Sequence, residues 1–130
     1  MTILYADDDV DDCELVVEAL EKIDPRINCV MANDGQQALE ILNQEDTLPD
    51  FIFLDVNMPV MDGKNCLIEL KKDHRLREIP VVIYSTTQDK EEIKELYAIG
   101  AREYVQKPNS FQDLCISLKT VIGKLQSEAA

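Results

Sequence analysis

Five short apolar runs punctuate the chain: Ile3–Ala6, Asn28–Ala32, Phe51–Leu54, Val81–Tyr84 and Glu103–Val105. Each is too short for a helix and is rich in the β-branched, aromatic and aliphatic residues that favour strands. The intervening stretches carry apolar residues at helical spacing. Cys13, Val16, Leu20 and Ile23 share one face of the first, which stops before Asp24-Pro25. Ala38, Leu39 and Leu42 mark the second, entered through Asn33-Asp34-Gly35, and Leu67, Ile68 and Leu70 a third. Ile93, Leu96 and Tyr97 mark the fourth, ending at Gly100. The clearest stripe is the last: Phe111, Leu114, Cys115, Leu118, Val121, Ile122 and Leu125.

Strand and helix thus alternate five times. That alternation predicts an α/β fold, a doubly wound parallel sheet with helices on both faces. Nearly unbroken apolar strands fit a sheet covered twice. Right-handed crossovers carry the carboxyl end of every strand to one edge, and open α/β sheets bind their ligands there. The residues just past each run therefore matter: Asp7-Asp8 after the first, Asp55 after the third, Ser85 after the fourth, Lys107-Pro108 after the fifth.

The 130 residues suit one domain, expected to span 1–130 with no output domain. The formal net charge is −13, from 26 acidic and 13 basic residues. Phosphate backbones and anionic lipid repel such a chain, so nucleic acid and membrane are not expected partners. The start lacks a basic n-region and turns acidic at once, unlike a signal peptide. Cys13, Cys29, Cys66 and Cys115 are scattered, and His74 is the one histidine. Reduced thiols in a cytoplasmic protein are expected, not a zinc site. His74 reads as solvated, and Met58 and Met61 as loop packing.

Five carboxylates fall between Asp7 and Asp12. Like charges about 4 Å apart repel by ~1 kcal/mol in water and ~4 kcal/mol at an effective dielectric of 20. Asp11 and Asp12 fit the first turn of a helix, where the dipole favours negative charge. Asp7 and Asp8 face Asp55 across the rim, so either one keeps a proton or a cation lies among them. An all-oxygen donor set suits Mg²⁺ or Mn²⁺ over Zn²⁺. A carboxylate such as Asp55 can attack phosphorus and form an acyl phosphate. Lys107 would offer a compact charge to a phosphoryl oxygen, and Ser85 a hydroxyl donor.

These residues carry a resemblance. Asp7-Asp8, Leu54-Asp55 with Met58-Pro59 and Asp62-Gly63, Ser85 and Lys107-Pro108 occur in order at the spacing of successive strand-helix units. Over essentially its whole length the chain resembles the response-regulator receiver domain of two-component signalling. The resemblance implies a flavodoxin-like sheet of order 2-1-3-4-5 with five helices. It makes Asp55 the phosphoacceptor and Asp8 with Asp55 direct ligands of Mg²⁺ or Mn²⁺. Asp7 would act through water, and Asn57 would give its backbone carbonyl. Ser85 and Tyr104 would form the switch pair, Asn57 and Thr87 would tune hydrolysis, and a cis peptide would join Lys107 to Pro108.

The function implied is a phospho-accepting signalling switch. A histidine kinase or phosphotransfer protein would supply the phosphoryl group. The surface of the fourth helix, fifth strand and fifth helix would answer to an unknown downstream protein. Two alternatives stand beside it. A Mg²⁺-dependent aspartate-nucleophile phosphohydrolase needs an acid/base two residues after the nucleophile, where Asn57 cannot shuttle protons. A binding module independent of phosphorylation has no need of the acids and the lysine together.

Overall fold

The computed structural model describes residues 1–129. Its elements follow the predicted alternation: β1 (Thr2–Ala6), α1 (Val10–Ile23), β2 (Asn28–Ala32), α2 (Gly35–Gln44), β3 (Phe51–Leu54), α3 (Gly63–Lys72), β4 (Val81–Ser85), α4 (Lys90–Ile99), β5 (Glu103–Gln106) and α5 (Phe111–Ala129). The five strands form one sheet in the order β2-β1-β3-β4-β5, and every neighbouring pair is parallel. This is the flavodoxin-like α/β arrangement.

Strand pleating explains why the apolar runs are unbroken. Leu4 and Ala6 of β1, Ile52 and Leu54 of β3, and Val81 and Ile83 of β4 face a core with α2, α3 and α4. Their alternates, Ile3, Tyr5, Phe51, Phe53, Val82 and Tyr84, face the other core, with α1 and α5. Fully burying a large aliphatic side chain contributes about 1.5–3 kcal/mol, so the three central strands anchor the sheet. Edge strands β2 and β5 are only part-buried. Met58 and Met61 pack against the first core, as expected of them, and His74 is exposed.

Helix starts are set by aspartates. Asp9, Asp34, Asp62 and Asp89 cap α1 to α4, each accepting a backbone N–H from the first turn. An N-cap of this kind is typically worth ~1 kcal/mol. Part of the chain's negative charge is therefore structural.

Two expectations need correction. Tyr97 lies exposed, not on the apolar face of α4, where Leu96 is the one fully buried residue. With 3.6 residues per turn, Leu96 takes the buried direction and its neighbour points about 100° away. No cis peptide occurs among the described residues, so the Lys107–Pro108 bond is trans. Trans is the lower-energy isomer of an X–Pro bond by roughly 0.5–1 kcal/mol.

Candidate functional site

The parallel register brings the strand ends level. Ala6 lies beside Leu54, Leu54 beside Ile83, and Ser85 beside Gln106. The next residue of each strand is then held by one more rung. Asp7 N–H donates to Ala32 O at 3.0 Å, Asp55 N–H to Ala6 O at 3.0 Å, and Lys107 N–H to Ser85 O at 2.8 Å. The sheet thus fixes the backbone of Asp7, Asp55 and Lys107 before any side chain is considered.

Their side chains converge. Lys107 Nζ donates to Asp7 Oδ2 at 2.8 Å, Asp12 Oδ2 at 2.7 Å and Asp55 Oδ2 at 3.1 Å. Carboxylate oxygens of Asp7, Asp8 and Asp55 all lie within 4.8 Å of one another. Asp7 and Asp55 are buried and Asp8 is exposed, so the group opens to solvent on one side. Three hard oxygen donors with an open face fit a divalent cation that keeps some of its water, as Mg²⁺ does.

Asp7 is held from below. Its Oδ2 accepts from the Tyr5 hydroxyl at 2.6 Å, and its Oδ1 accepts from Asp9 N–H at 3.0 Å. Tyr5 is wholly buried, and burial together with the Asp7 hydrogen bond pushes its hydroxyl well above the usual tyrosine range. It remains a donor. The Tyr84 ring lies 5.6 Å from Lys107 Nζ, within cation–π reach.

The loop after Asp55 is tightly drawn. Gly63 N–H donates to Val56 O at 2.9 Å, and a Cβ at Gly63 would stand 2.2 Å from Asp55 O. Only glycine fits where α3 closes on the strand end. Val60, with φ 65°, occupies the left-handed region, an outlier for a β-branched residue.

The remaining predicted residues sit around this centre. Asn57 is exposed, with its N–H 3.4 Å from Asp55 Oδ1. Ser85 is fully buried at the end of β4, and its Oγ accepts from Thr87 N–H at 3.4 Å. The Thr87 hydroxyl donates to Glu92 Oε2 at 3.1 Å, toward α4 and not toward the acids. Tyr104 is part-buried, and its hydroxyl donates to Thr87 O. All four cysteines are free; burial pushes Cys13 and Cys29 up to about 11, so they stay protonated thiols.

Sequence reasoning misses two participants. The helix dipole accounts for Asp12 in the sequence, yet Asp12 makes the shortest contact to Lys107. Tyr5 reads there only as strand core. The signal for it was available: a tyrosine in a doubly covered strand must find a partner for its hydroxyl. Asp7, two residues on, shares its side of the strand.

Burial raises the Asp55 carboxyl above its ordinary value of 3.8, the Asp7 charge adds to this, and Lys107 and Ser85 pull it back. For Lys107, burial alone would release the proton. Hydrogen bonds to Asp12 and Asp7 and the Asp55 charge outweigh it and hold the ammonium above the usual lysine range. These shifts set a pH dependence. An acid whose folded value is raised favours folding while protonated, and loses that contribution as pH rises through the window above 3.8. A cation needs the ionised form. Mg²⁺ affinity is therefore expected to climb with pH through that window and then level off, and calorimetric titration at stepped pH checks it. A pH-independent affinity across the same range would contradict it.

The profile of the response regulator receiver domain family matches residues 3–119. The probable methanogenesis regulatory protein FilR2 of Methanothrix harundinacea is 31% identical over 116 residues, covering 86% of this chain and 75% of that one. Among solved structures, the phosphorylated cyanobacterial phytochrome response regulator RcpA superposes with TM-score 0.90 at 31% identity, over 99% of this chain and 96% of that one. The Mn²⁺-bound form of response regulator Rcp1 gives 0.83 at 28% identity, over 92% and 90%. Among the described residues no helix is long and apolar enough to cross a membrane.

Proposed function

The chain belongs to the response regulator receiver domain family, and from that premise we propose that Asp55 accepts a phosphoryl group and thereby switches a protein-binding surface. The donor is a histidine kinase, a phosphotransfer protein or a small acyl phosphate. An Asp55 oxygen forms the new bond to phosphorus. The bond from phosphorus to the donor nitrogen or oxygen breaks, and its electron pair leaves with the donor. Asp8 and Asp55, with the Asn57 carbonyl and Asp7, would hold Mg²⁺ or Mn²⁺. When bound, the ion neutralises charge on the transferring oxygens. The Rcp1 relative is known in a Mn²⁺-bound form.

The observation that carries this reading is the 3.1 Å contact of Lys107 Nζ with Asp55, beside an acidic group open to solvent. An ammonium already on the acceptor oxygen is ready to meet a phosphoryl oxygen there. Ser85, buried at the neighbouring strand end, donates its hydroxyl to the same group. Movement of the β4–α4 loop then reaches Tyr104, whose hydroxyl is tied to Thr87 O, and Thr87, bonded through Glu92 to α4. Helix α4 is suited to shift because a single fully buried residue, Leu96, secures it. The surface of α4, β5 and α5 then presents two populations to a downstream protein. Asn57, exposed beside the acceptor, tunes how fast water removes the phosphoryl group, and Thr87, whose hydroxyl is turned to Glu92, tunes it through the β4–α4 loop. The cytoplasm is the compartment that this reading implies.

Beryllofluoride, a phosphoryl mimic, tests this directly. With Mg²⁺ it is expected to shift the amide NMR signals of Ser85, Thr87 and Tyr104, while phosphomonoesters are not turned over. A silent spectrum would favour a phosphorylation-independent binding module, and sustained release of phosphate a hydrolase.

A further inference from the structure

We infer that Asp12 is a positioning residue for Lys107, holding its ammonium so that one N–H is directed at the group carried by Asp55. This rests on the phosphoacceptor reading of Asp55. A lysine has three N–H donors, and Lys107 spends them on Asp7, Asp12 and Asp55. Asp7 and Asp55 belong to the acidic group that fits a cation; Asp12 does not. Any cation among Asp7, Asp8 and Asp55 competes with Lys107 for Asp7 and Asp55. Asp12 is the partner that persists.

The geometry favours this over a helix-dipole role. Asp9 caps α1 and accepts Asp12 N–H at 3.1 Å, which places Asp12 in the first turn. Asp11 would serve the dipole equally and is exposed. Asp12 instead reaches a lysine 95 positions away at 2.7 Å, the shortest of the three contacts, with the lysine side chain only 10% exposed. The Asp12 side chain itself is 31% exposed, but the bond is charge-assisted and its lysine end is shielded, so it restrains direction as well as charge. In the metal-free site Asp7 and Asp12 hold two donors and the third points at Asp55. Without Asp12 the ammonium is left to the two carboxylates that a cation also claims.

The experiment has two arms on the full chain. First, phosphorylation by acetyl phosphate at saturating Mg²⁺ is timed for Asp12→Ala, Asp12→Glu, Lys107→Met and Asp12→Ala/Lys107→Met. Asp12→Ala should be slower by about ten-fold, the scale of one charged hydrogen bond. Asp12→Glu should recover much of the rate, and Asp12→Ala should add nothing once Lys107 is gone. A wild-type rate for Asp12→Ala, or the same slowing in the Lys107→Met background, overturns the inference. Second, ¹⁵N NMR tracks exchange of the Lys107 ammonium protons with water in Mg²⁺. Exchange should quicken in Asp12→Ala; unchanged exchange overturns the inference, whatever the fate of Lys107→Met. A wild-type protein that takes no label fails the phosphoacceptor reading, while the NMR arm still decides the role of Asp12.

Discussion

Lys107→Met is expected to destabilise the metal-free protein by about 3 kcal/mol, because removing one partner of a buried ion pair leaves its counter-charges uncompensated. The lysine side chain is 10% exposed, and Asp7 and Asp55 beside it are no more than 9% exposed. These acids cannot be separated, since the strand register fixes their backbones. Methionine fills the space without the charge. Mg²⁺ should then restore more stability to the variant than it adds to the wild type, as the only remaining cation in the group. Urea unfolding with and without Mg²⁺ measures both effects. Equal metal-free stability of the two proteins would contradict this account of the charges.

The second large effect is expected of Gly63→Ala. Its added methyl would stand 2.2 Å from Asp55 O and 2.9 Å from Val56 Cα, closer than non-bonded atoms tolerate. Both neighbours are backbone, and the Asp55 peptide is pinned to Ala6 by its N–H. Either α3 withdraws and the Gly63 to Val56 hydrogen bond is lost, or the strand end shifts and carries Asp55 with it. Overpacking of this kind typically costs about 1–3 kcal/mol. An Asp55 displaced by even a fraction of an ångström should also bind Mg²⁺ about ten-fold more weakly, the lower end of the range for disturbed supporting residues. Urea unfolding and metal titration of one variant test both. Wild-type stability together with wild-type affinity would show that the loop yields freely.

The fold was legible because two independent regularities agreed. Apolar runs such as Phe51–Leu54 bury on both faces, and stripes such as Leu114, Leu118 and Ile122 recur at helical spacing. The convergence of Asp7, Asp8, Asp55 and Lys107 came from topology, since a parallel sheet collects its carboxyl ends. The residues that escaped are of another kind. Asp12 reaches Lys107 across the gap between α1 and β5, a pairing that no local pattern encodes. Tyr5 looks like any core aromatic until its hydroxyl is asked for a partner. Tyr97 matches the apolar spacing of α4, but the helix buries only a narrow stripe centred on Leu96. The cis bond before Pro108 was expected from the family resemblance alone, and the bond is trans.

The central claim concerns which atom takes the phosphoryl group. Wild-type protein and Asp55→Asn are incubated with acetyl phosphate and Mg²⁺, and intact mass and peptide mapping are recorded. The wild type is expected to gain one phosphoryl group at Asp55 and the variant none; a label retained by the variant, or mapped to His74 or any other residue, would contradict the account.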